Sequence, residues 1–324
     1  MNDLAALDRA AWLAAPWMTF PNPRVGCVIL DDAGEMVGEA AHHAAGEPHA
    51  EVNALAMAGD RARGATAYVT LEPCNHQGRT GPCSEALIRA GLRRVVIAVA
   101  DPNPRAAGGA DALRAAGVSV DFVEAHAAES VNEHWLHAMR TGRPFVTLKM
   151  AASLDGRIAA STGRETAISN GASRVRLHAL RARVDAVMVG SNTARIDDPA
   201  LTVREVDAQR QPQRFVLGLR QLPADLQLLQ GSTPATQLRT RDVAEALAAL
   251  QAREIRHLLL EGGATVARAF VDAGLVDECI WITAPTVLGD GPMALGTLAL
   301  EEVRTWRRVG TADVDGDLWS YLRP

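Results

Sequence analysis

Apolar residues in this chain come in short runs punctuated by glycine, proline and asparagine, and the runs alternate with stretches of helical spacing. Leu4, Leu7, Ala11 and Leu13 mark a helix over 3–15, and Pro21-Asn22-Pro23 then leads into the continuous apolar run 25–30, a strand. The same reading gives strands at 35–40, 66–71, 94–99 and 118–123, and helices at 49–58, 83–90, 109–116 and 126–140. This alternation predicts an α/β fold: a parallel-rich sheet with helices on both faces and ligands beyond the strand ends.

Thr141-Gly142-Arg143-Pro144 closes one helix and precedes a new strand, so a domain boundary is expected there, dividing residues 1–143 from 144–324. Beyond it we expect strands at 145–150, 185–189, 213–218, 256–261 and 277–284, with helices at 171–183, 242–252 and 264–273. Residues 219–242 hold no recognisable strand. A chain of 324 residues suits two domains of ordinary size, and 48% hydrophobic with 22% charged residues is the balance of a soluble globular protein. No apolar run approaches bilayer length, and the acidic start Met1-Asn2-Asp3 is unlike a signal peptide, so neither membrane association nor secretion is expected. Four cysteines in so long a chain fit a reducing cytoplasm, and a net charge of −5 argues against extended contact with nucleic acid.

The strongest chemical pattern is His49-Ala50-Glu51, then Glu72-Pro73-Cys74, then Pro82-Cys83. One imidazole and two thiolates suit a tetrahedral zinc ion whose fourth position stays open to water, as catalytic zinc requires. Such an ion brings the pKa of its water toward neutrality, and Glu51, left over beside the ligands, is the candidate proton carrier. Residues two apart on a helix diverge by about 200°, so His49 and Glu51 converge only off a helix N-terminus. Gly46-Glu47-Pro48 reads as the turn before that start. Cys74 and Cys83 each follow a proline, which predicts that each also opens a helix, where the dipole favours a thiolate. Zinc nucleobase deaminases carry H-x-E followed by P-C-x-x-C, whereas eight residues separate the cysteines here. That insert holds Gly78, Arg79, Thr80 and Gly81, a combination suited to a phosphate. The alternatives are a structural zinc knot, closed by His76 or Cys27, and isolated residues that hold no metal. Cys27 and Cys279 sit in apolar runs and read as small buried hydrophobes.

Of 33 cationic residues only Lys149 is a lysine. Arginine replaces lysine wherever the two are interchangeable, so a lone survivor marks a place that needs a compact, proton-exchanging amine. Strand 256–261 runs into Glu261-Gly262-Gly263-Ala264-Thr265 and a helix, and Val189-Gly190-Ser191-Asn192-Thr193 forms a second such junction. Backbone amides at a helix start can face a phosphate, although a Gly-Gly there is often only a tight turn. Lys149, Asp155, Arg181, Asp197, Arg204 and Glu261 are the charged residues at or near the predicted strand ends and junctions. The residues alone describe a phosphate-binding α/β domain joined to a zinc hydrolase.

Longer peptides carry more. Pro21 to Gly26, Gly46 to Glu51, Thr70 to Cys74 with its continuation to Cys83, Asp101-Pro102-Asn103-Pro104, Leu148-Lys149, Ala152 to Gly156, Asp197 to Arg204 and Glu261-Gly262-Gly263 resemble, in this order, the bifunctional riboflavin biosynthesis family, a pyrimidine deaminase fused to a reductase. The resemblance covers nearly the whole chain, and the long cysteine spacing is the family's own. It implies a cytidine-deaminase-like three-layer α/β/α domain followed by a dihydrofolate-reductase-like α/β domain. The implied substrate is 2,5-diamino-6-ribosylamino-4(3H)-pyrimidinone 5′-phosphate, deaminated with Zn2+ on His49, Cys74 and Cys83 and with Glu51 carrying protons. Asn22, His42, His76, Asp101 and Asn103 would orient ring and ribose, and Arg79 would hold the phosphate. NADPH would then reduce the ribosyl group to ribityl, with Lys149 beside the reacting sugar and Arg181, Leu201, Arg204 and Glu261 on the substrate. Ala151, Ala167, Thr193, Asp197, Gly263, Ala264, Thr265, Val266 and Ala267 would line the cofactor. Small molecules are the implied partners, in a homo-oligomer, a dimer.

The chain departs from the family pattern at Glu165 and Ala167, where members often carry a serine and a tryptophan, and in the short stretch 219–242. Two other readings stay open on sequence: an active deaminase whose second domain has become a scaffold, and a zinc-stabilised ligand-binding protein without turnover.

Overall fold

In the computed structural model, which describes residues 1–76, 81–163, 166–296 and 304–324, the chain divides into two units, Met1–Gly142 and Arg143–Pro324. In the first, β1 (Gly26–Leu30), β2 (Met36–Ala41), β3 (Thr66–Val69), β4 (Arg94–Ile97) and β5 (Ser119–Phe122) form one sheet in the order β2-β1-β3-β4-β5. β3, β4 and β5 are parallel, as the alternation predicts, but β1 runs antiparallel to both its neighbours. The reason is local. β1 and β2 are joined by a tight turn in which Asp31 accepts from the N–H groups of Ala33 and Glu35, too short for a crossover.

Successive strand residues point to opposite faces, and each face has its own core. Cys27, Ile29, Ala67, Val69, Val95 and Ile97 pack with Ala50 and Ala54 of α2 (Ala50–Ala58), Leu87 of α3 (Cys83–Arg89) and Leu113 of α4 (Gly109–Ala115). Val28, Leu30, Tyr68 and Val96 pack with Leu7 and Ala10 of α1 (Asp3–Ala14) and Ala128 of α5 (His126–Val131). The result is three layers, α/β/α. Where α1 crosses β1, a Cβ on Gly26 would stand 1.9 Å from the carbonyl oxygen of Ala10, so only glycine fits. Cys27 lies fully inside this core, and burial pushes its thiol well above the ordinary range.

The helix expected over 126–140 is two, α5 and α6 (Glu133–Thr141), interrupted at Asn132. That side chain is buried and holds the backbone of Arg24 at both ends, accepting its N–H at 2.8 Å and donating to its carbonyl at 2.7 Å. A short amide engaged with a distant backbone competes with helical continuation.

The second unit carries β6 (Phe145–Ser153), β7 (Ala186–Gly190), β8 (Gln213–Leu217), β9 (Thr236–Leu238), β10 (His257–Leu260), β11 (Glu278–Ala284), β12 (Arg307–Val314) and β13 (Asp317–Arg323). Their order is β12-β13-β11-β6-β10-β7-β8-β9, parallel from β11 to β9 and closed by an antiparallel hairpin. Its helices are α7 (Gly171–Arg181), α8 (Ser191–Asp197), α9 (Val243–Gln251) and α10 (Ala264–Asp272). β7 and β10 are buried along their whole length, which is why they read as unbroken apolar runs.

Two expectations are corrected here. Residues 219–242 do hold a strand: β9, three residues long and parallel to β8, too short to leave a pattern. The hairpin β12–β13 was not foreseen, because Arg307, Arg308 and alternating polar positions hide it, although Asp315-Gly316, both at positive φ, is a hairpin turn signal. The hairpin is clasped to α7. Asn170 caps that helix by accepting from Ser173 N–H, donates to the carbonyls of Val314 and Asp315, and gives its own N–H to Asp317. Trp319, buried, donates its indole N–H to Ser173 at 2.8 Å. Asn170→Ala removes the cap and leaves two carbonyls without their donor, so urea unfolding should show a loss of about 2–3 kcal/mol. No helix among the described residues is long and apolar enough to cross a membrane.

Candidate active sites

In the first unit the strand ends and helix starts bring His49, Cys74 and Cys83 together, their ligand atoms all within 4.8 Å of one another. His49 Nδ1 lies 3.2 Å from Cys83 Sγ and 3.5 Å from Cys74 Sγ. His49 is the extended residue before α2 and Glu51 sits in its first turn, which is how residues two apart serve one site. Cys83 opens α3, as expected, but Cys74 does not open a helix. It lies in irregular chain, and its sulfur instead accepts the first amide of α3, Cys83 N–H, at 3.4 Å. One helix start therefore serves both thiolates.

The donor set fits a zinc ion. Cys74 is lowered, its hydrogen bond with Cys83 outweighing burial, while Cys83 is raised, and a divalent cation would favour the thiolate form of both. Among the described residues no fourth histidine, cysteine or carboxylate joins the cluster, which argues against a closed structural knot. Cys27 is in the core and His76 is exposed. Glu51 is buried, and its Oε2 has no hydrogen-bond partner among the described residues. Burial raises its pKa, with His49 opposing and Cys83 close enough to interact.

Around this cluster, His42 is buried with its Nδ1–H on Pro48 O at 3.2 Å, which leaves Nε2 to accept from Asn22 Nδ2 at 3.2 Å. Its ring meets His49 edge-on, with centroids 5.1 Å apart. Asp101 accepts from Asn103 N–H at 2.8 Å, and burial pushes its carboxyl up to about 6. Arg79 lies outside the described residues. Glu72, quoted in the motif without a role, turns out to hold three backbone amides of residues 101–110.

In the second unit the parallel register sets Leu260 of β10 beside Leu148 of β6, so Glu261 falls next to Lys149. Glu261 takes both forks of Arg181, at 2.6 and 2.8 Å, with each side chain 9% exposed. Burial disfavours both charges, yet the pair prevails: Glu261 is held below and Arg181 above its ordinary range. Burial lowers Lys149, and Glu261 opposes that fall. Arg181 also donates to Thr202 O, and Arg204, exposed, gives its backbone N–H to buried His178 at 3.1 Å. Leu201 is buried among Val187, Val216 and Leu259, at positive φ. His178 and Asp317 join this charged group without having been singled out, because one looks like a helix-core histidine and the other lies in the unforeseen hairpin.

The two glycine junctions meet. Gly263 donates its N–H to Thr193 Oγ1 at 3.2 Å, and a Cβ on Gly190 would stand 2.7 Å from Val266 Cγ2. The amides of Val266 and Ala267 are committed to Gly263 O, and Ala267 is fully buried. That leaves Ala264 and Thr265, in the first turn of α10, to face an anion. Asp197 ends α8. Ala151 packs on β6 against the Ile280, Ile282 and Trp319 cluster, and Ala167 is exposed in the loop before α7. Glu165 lies outside the described residues. Asp155 is engaged elsewhere, accepting from Ser153 Oγ and the N–H groups of Leu288 and Gly289, which hold it at about 2.

Two family models match the chain: the cytidine and deoxycytidylate deaminase zinc-binding region over residues 1–99, and the RibD C-terminal domain over residues 144–319. The chain is 44% identical to the riboflavin biosynthesis protein RibD of Mycobacterium tuberculosis over 310 residues, 93% of this chain and 90% of that one. The chain belongs to the RibD family. Among solved RibD structures, that of Acinetobacter baumannii is 38% identical and superposes with a TM-score of 0.93, covering 99% of this chain and 98% of that one. A Thermotoga maritima diaminohydroxyphosphoribosylaminopyrimidine deaminase/5-amino-6-(5-phosphoribosylamino)uracil reductase is 29% identical with a TM-score of 0.85, covering 99% of this chain and 98% of that one. As a RibD, the chain is a bifunctional enzyme of riboflavin biosynthesis, with a deaminase unit and a reductase unit.

Proposed function

We propose that the first unit converts 2,5-diamino-6-ribosylamino-4(3H)-pyrimidinone 5′-phosphate to its 2-oxo product with release of ammonia, and that the second reduces the ribosyl group of that product with NADPH. The observation that carries the first step is a three-donor cluster, His49, Cys74 and Cys83, beside a buried carboxylate oxygen with no partner among the described residues. With zinc held there, the site supplies water polarised enough to attack near neutral pH. Glu51 takes the proton of that water, delivers it to the ring nitrogen next to the reacting carbon, and then passes a proton to the departing amine. His42 holds Asn22 by its amide nitrogen, so the Asn22 carbonyl oxygen is left to accept from the ring. Asp101 and Asn103 supply acceptors and donors for ribose.

In the second unit, NADPH supplies a hydride when bound against Ala264 and Thr265 at the start of α10 and Thr193 on α8. Burial lowers Lys149 and Glu261 opposes that fall; in its ammonium form Lys149 would place positive charge beside the sugar, where the ring oxygen gains electron density as the hydride reaches C1′ and the ring opens. Arg204 is exposed, its guanidinium donating to Thr202 Oγ1 at 3.0 Å, and would turn to the substrate's phosphate, whereas Arg181 is committed to Glu261.

Zinc-loaded enzyme given the diaminopyrimidine phosphate and NADPH is expected to release one ammonia per NADPH oxidised. Stripping the metal with a chelator should stop ammonia release, while NADPH oxidation continues when the deaminated intermediate is supplied instead. Loss of both activities on chelation would sink the assignment of zinc to the first unit alone.

A further inference from the structure

The chemistry above gives no part to Glu72, two residues before Cys74. It is buried, and both its oxygens face backbone donors: Oε2 accepts from Asp101 N–H at 3.1 Å, and Oε1 from Gly108 and Ala110 N–H at 3.1 and 3.0 Å. Gly108 is the N-cap of α4 and Ala110 its second residue, so a carboxylate from another segment caps that helix. The same segment is pressed against the ligand peptide. A Cβ on Gly109 would stand 1.8 Å from Pro73 O, and Asn75 N–H donates to Ala106 O at 3.0 Å. Residues 101–110 are thus wound around one carboxylate that is covalently two residues from a metal ligand.

We propose that Glu72 is a positioning residue for deamination: it fixes Asp101 and Asn103 relative to Cys74 and so sets where the substrate's ring and ribose lie against the reacting centre. This rests on the deaminase reading above. A carboxylate is needed because it offers acceptors in two directions, whereas an amide offers one acceptor and one donor. In Glu72→Gln the amide oxygen can keep the two α4 donors, and its nitrogen then opposes Asp101 N–H, donor against donor. The loop is released while α4 stays capped.

The test is steady-state deamination by the zinc-loaded full-length chain, with zinc content measured on the same samples. Glu72→Gln should retain its zinc and raise KM for the diaminopyrimidine phosphate roughly tenfold, with kcat within about twofold. A residue that only supported the fold would lower the active fraction, and so kcat, without moving KM. Unchanged KM, or loss of zinc, overturns the inference. If the wild-type chain releases no ammonia, it is the deaminase reading that fails. If the variant does not fold, amide exchange in the zinc-loaded wild type decides: Asp101 N–H protected like the amides of β4 supports the clamp, and exchange at the rate of an exposed loop overturns it.

Discussion

Glu51→Gln is expected to lower ammonia release by roughly 10²–10⁴-fold while zinc stays bound and NADPH oxidation with the deaminated intermediate is unchanged. The size follows from the loss of a positioned proton carrier, whose place is taken by an amide of nearly the same shape. Stability should not explain the loss. Burial raises the folded pKa of Glu51 above its unfolded value, so the ionised carboxylate weakens the metal-free fold once pH exceeds the unfolded pKa, increasingly until the folded pKa is passed. Glutamine removes that penalty, and the metal-free variant should melt at or above the wild-type temperature at neutral pH. Thermal unfolding and zinc content on the same preparation separate chemistry from folding. Ammonia release above a tenth of the wild-type rate would mean that another group carries the proton. The same experiment excludes a ligand-binding protein without turnover, for which Glu51 would be dispensable.

Lys149→Met should reduce NADPH oxidation about 10²–10³-fold and leave ammonia release untouched. Methionine keeps the stem and removes the charge, so substrate and cofactor still fit while the developing negative charge on the sugar oxygen loses its partner. The pH profile gives a second check. Burial lowers the pKa of Lys149 below the ordinary lysine value, so the ammonium, and with it the reductase rate, should be lost on the alkaline side at a pH below that of a free lysine. Lys149→Arg keeps a cation throughout that range and should flatten the alkaline limb. It should also be slower, because a planar fork does not occupy the place of a compact ammonium. A Lys149→Met variant oxidising NADPH at the wild-type rate would return this lysine to the status of an accidental survivor among arginines.

Much of the candidate metal site was legible in the chain because its donors are residue types at fixed local spacing. A His with a Glu two residues on, at a helix start, has few other uses, and a proline before Cys83 announced the turn that aims it. Cys74 misled for a related reason: proline precedes it too, but the helix that serves its sulfur is the one begun by Cys83 nine residues later. Lys149 stood out by its uniqueness, and Glu261 by the glycines that follow it.

What sequence alone determined, then, was local: apolar periodicity set the order of strands and helices, and motif spacing singled out His49, Cys74 and Cys83, whose ligand atoms the fold gathers within 4.8 Å, with Glu51 as the candidate proton carrier. Tertiary structure decided what depends on segments far apart in the chain. It paired Arg181 with Glu261 across 80 residues, set Lys149 beside that pair through strand register, and folded residues 101–110 around Glu72. It also added the hairpin that carries Asp317. Side chains at these places have ordinary local contexts, and their roles arise from burial and from partners that only the assembled sheet brings within hydrogen-bond reach.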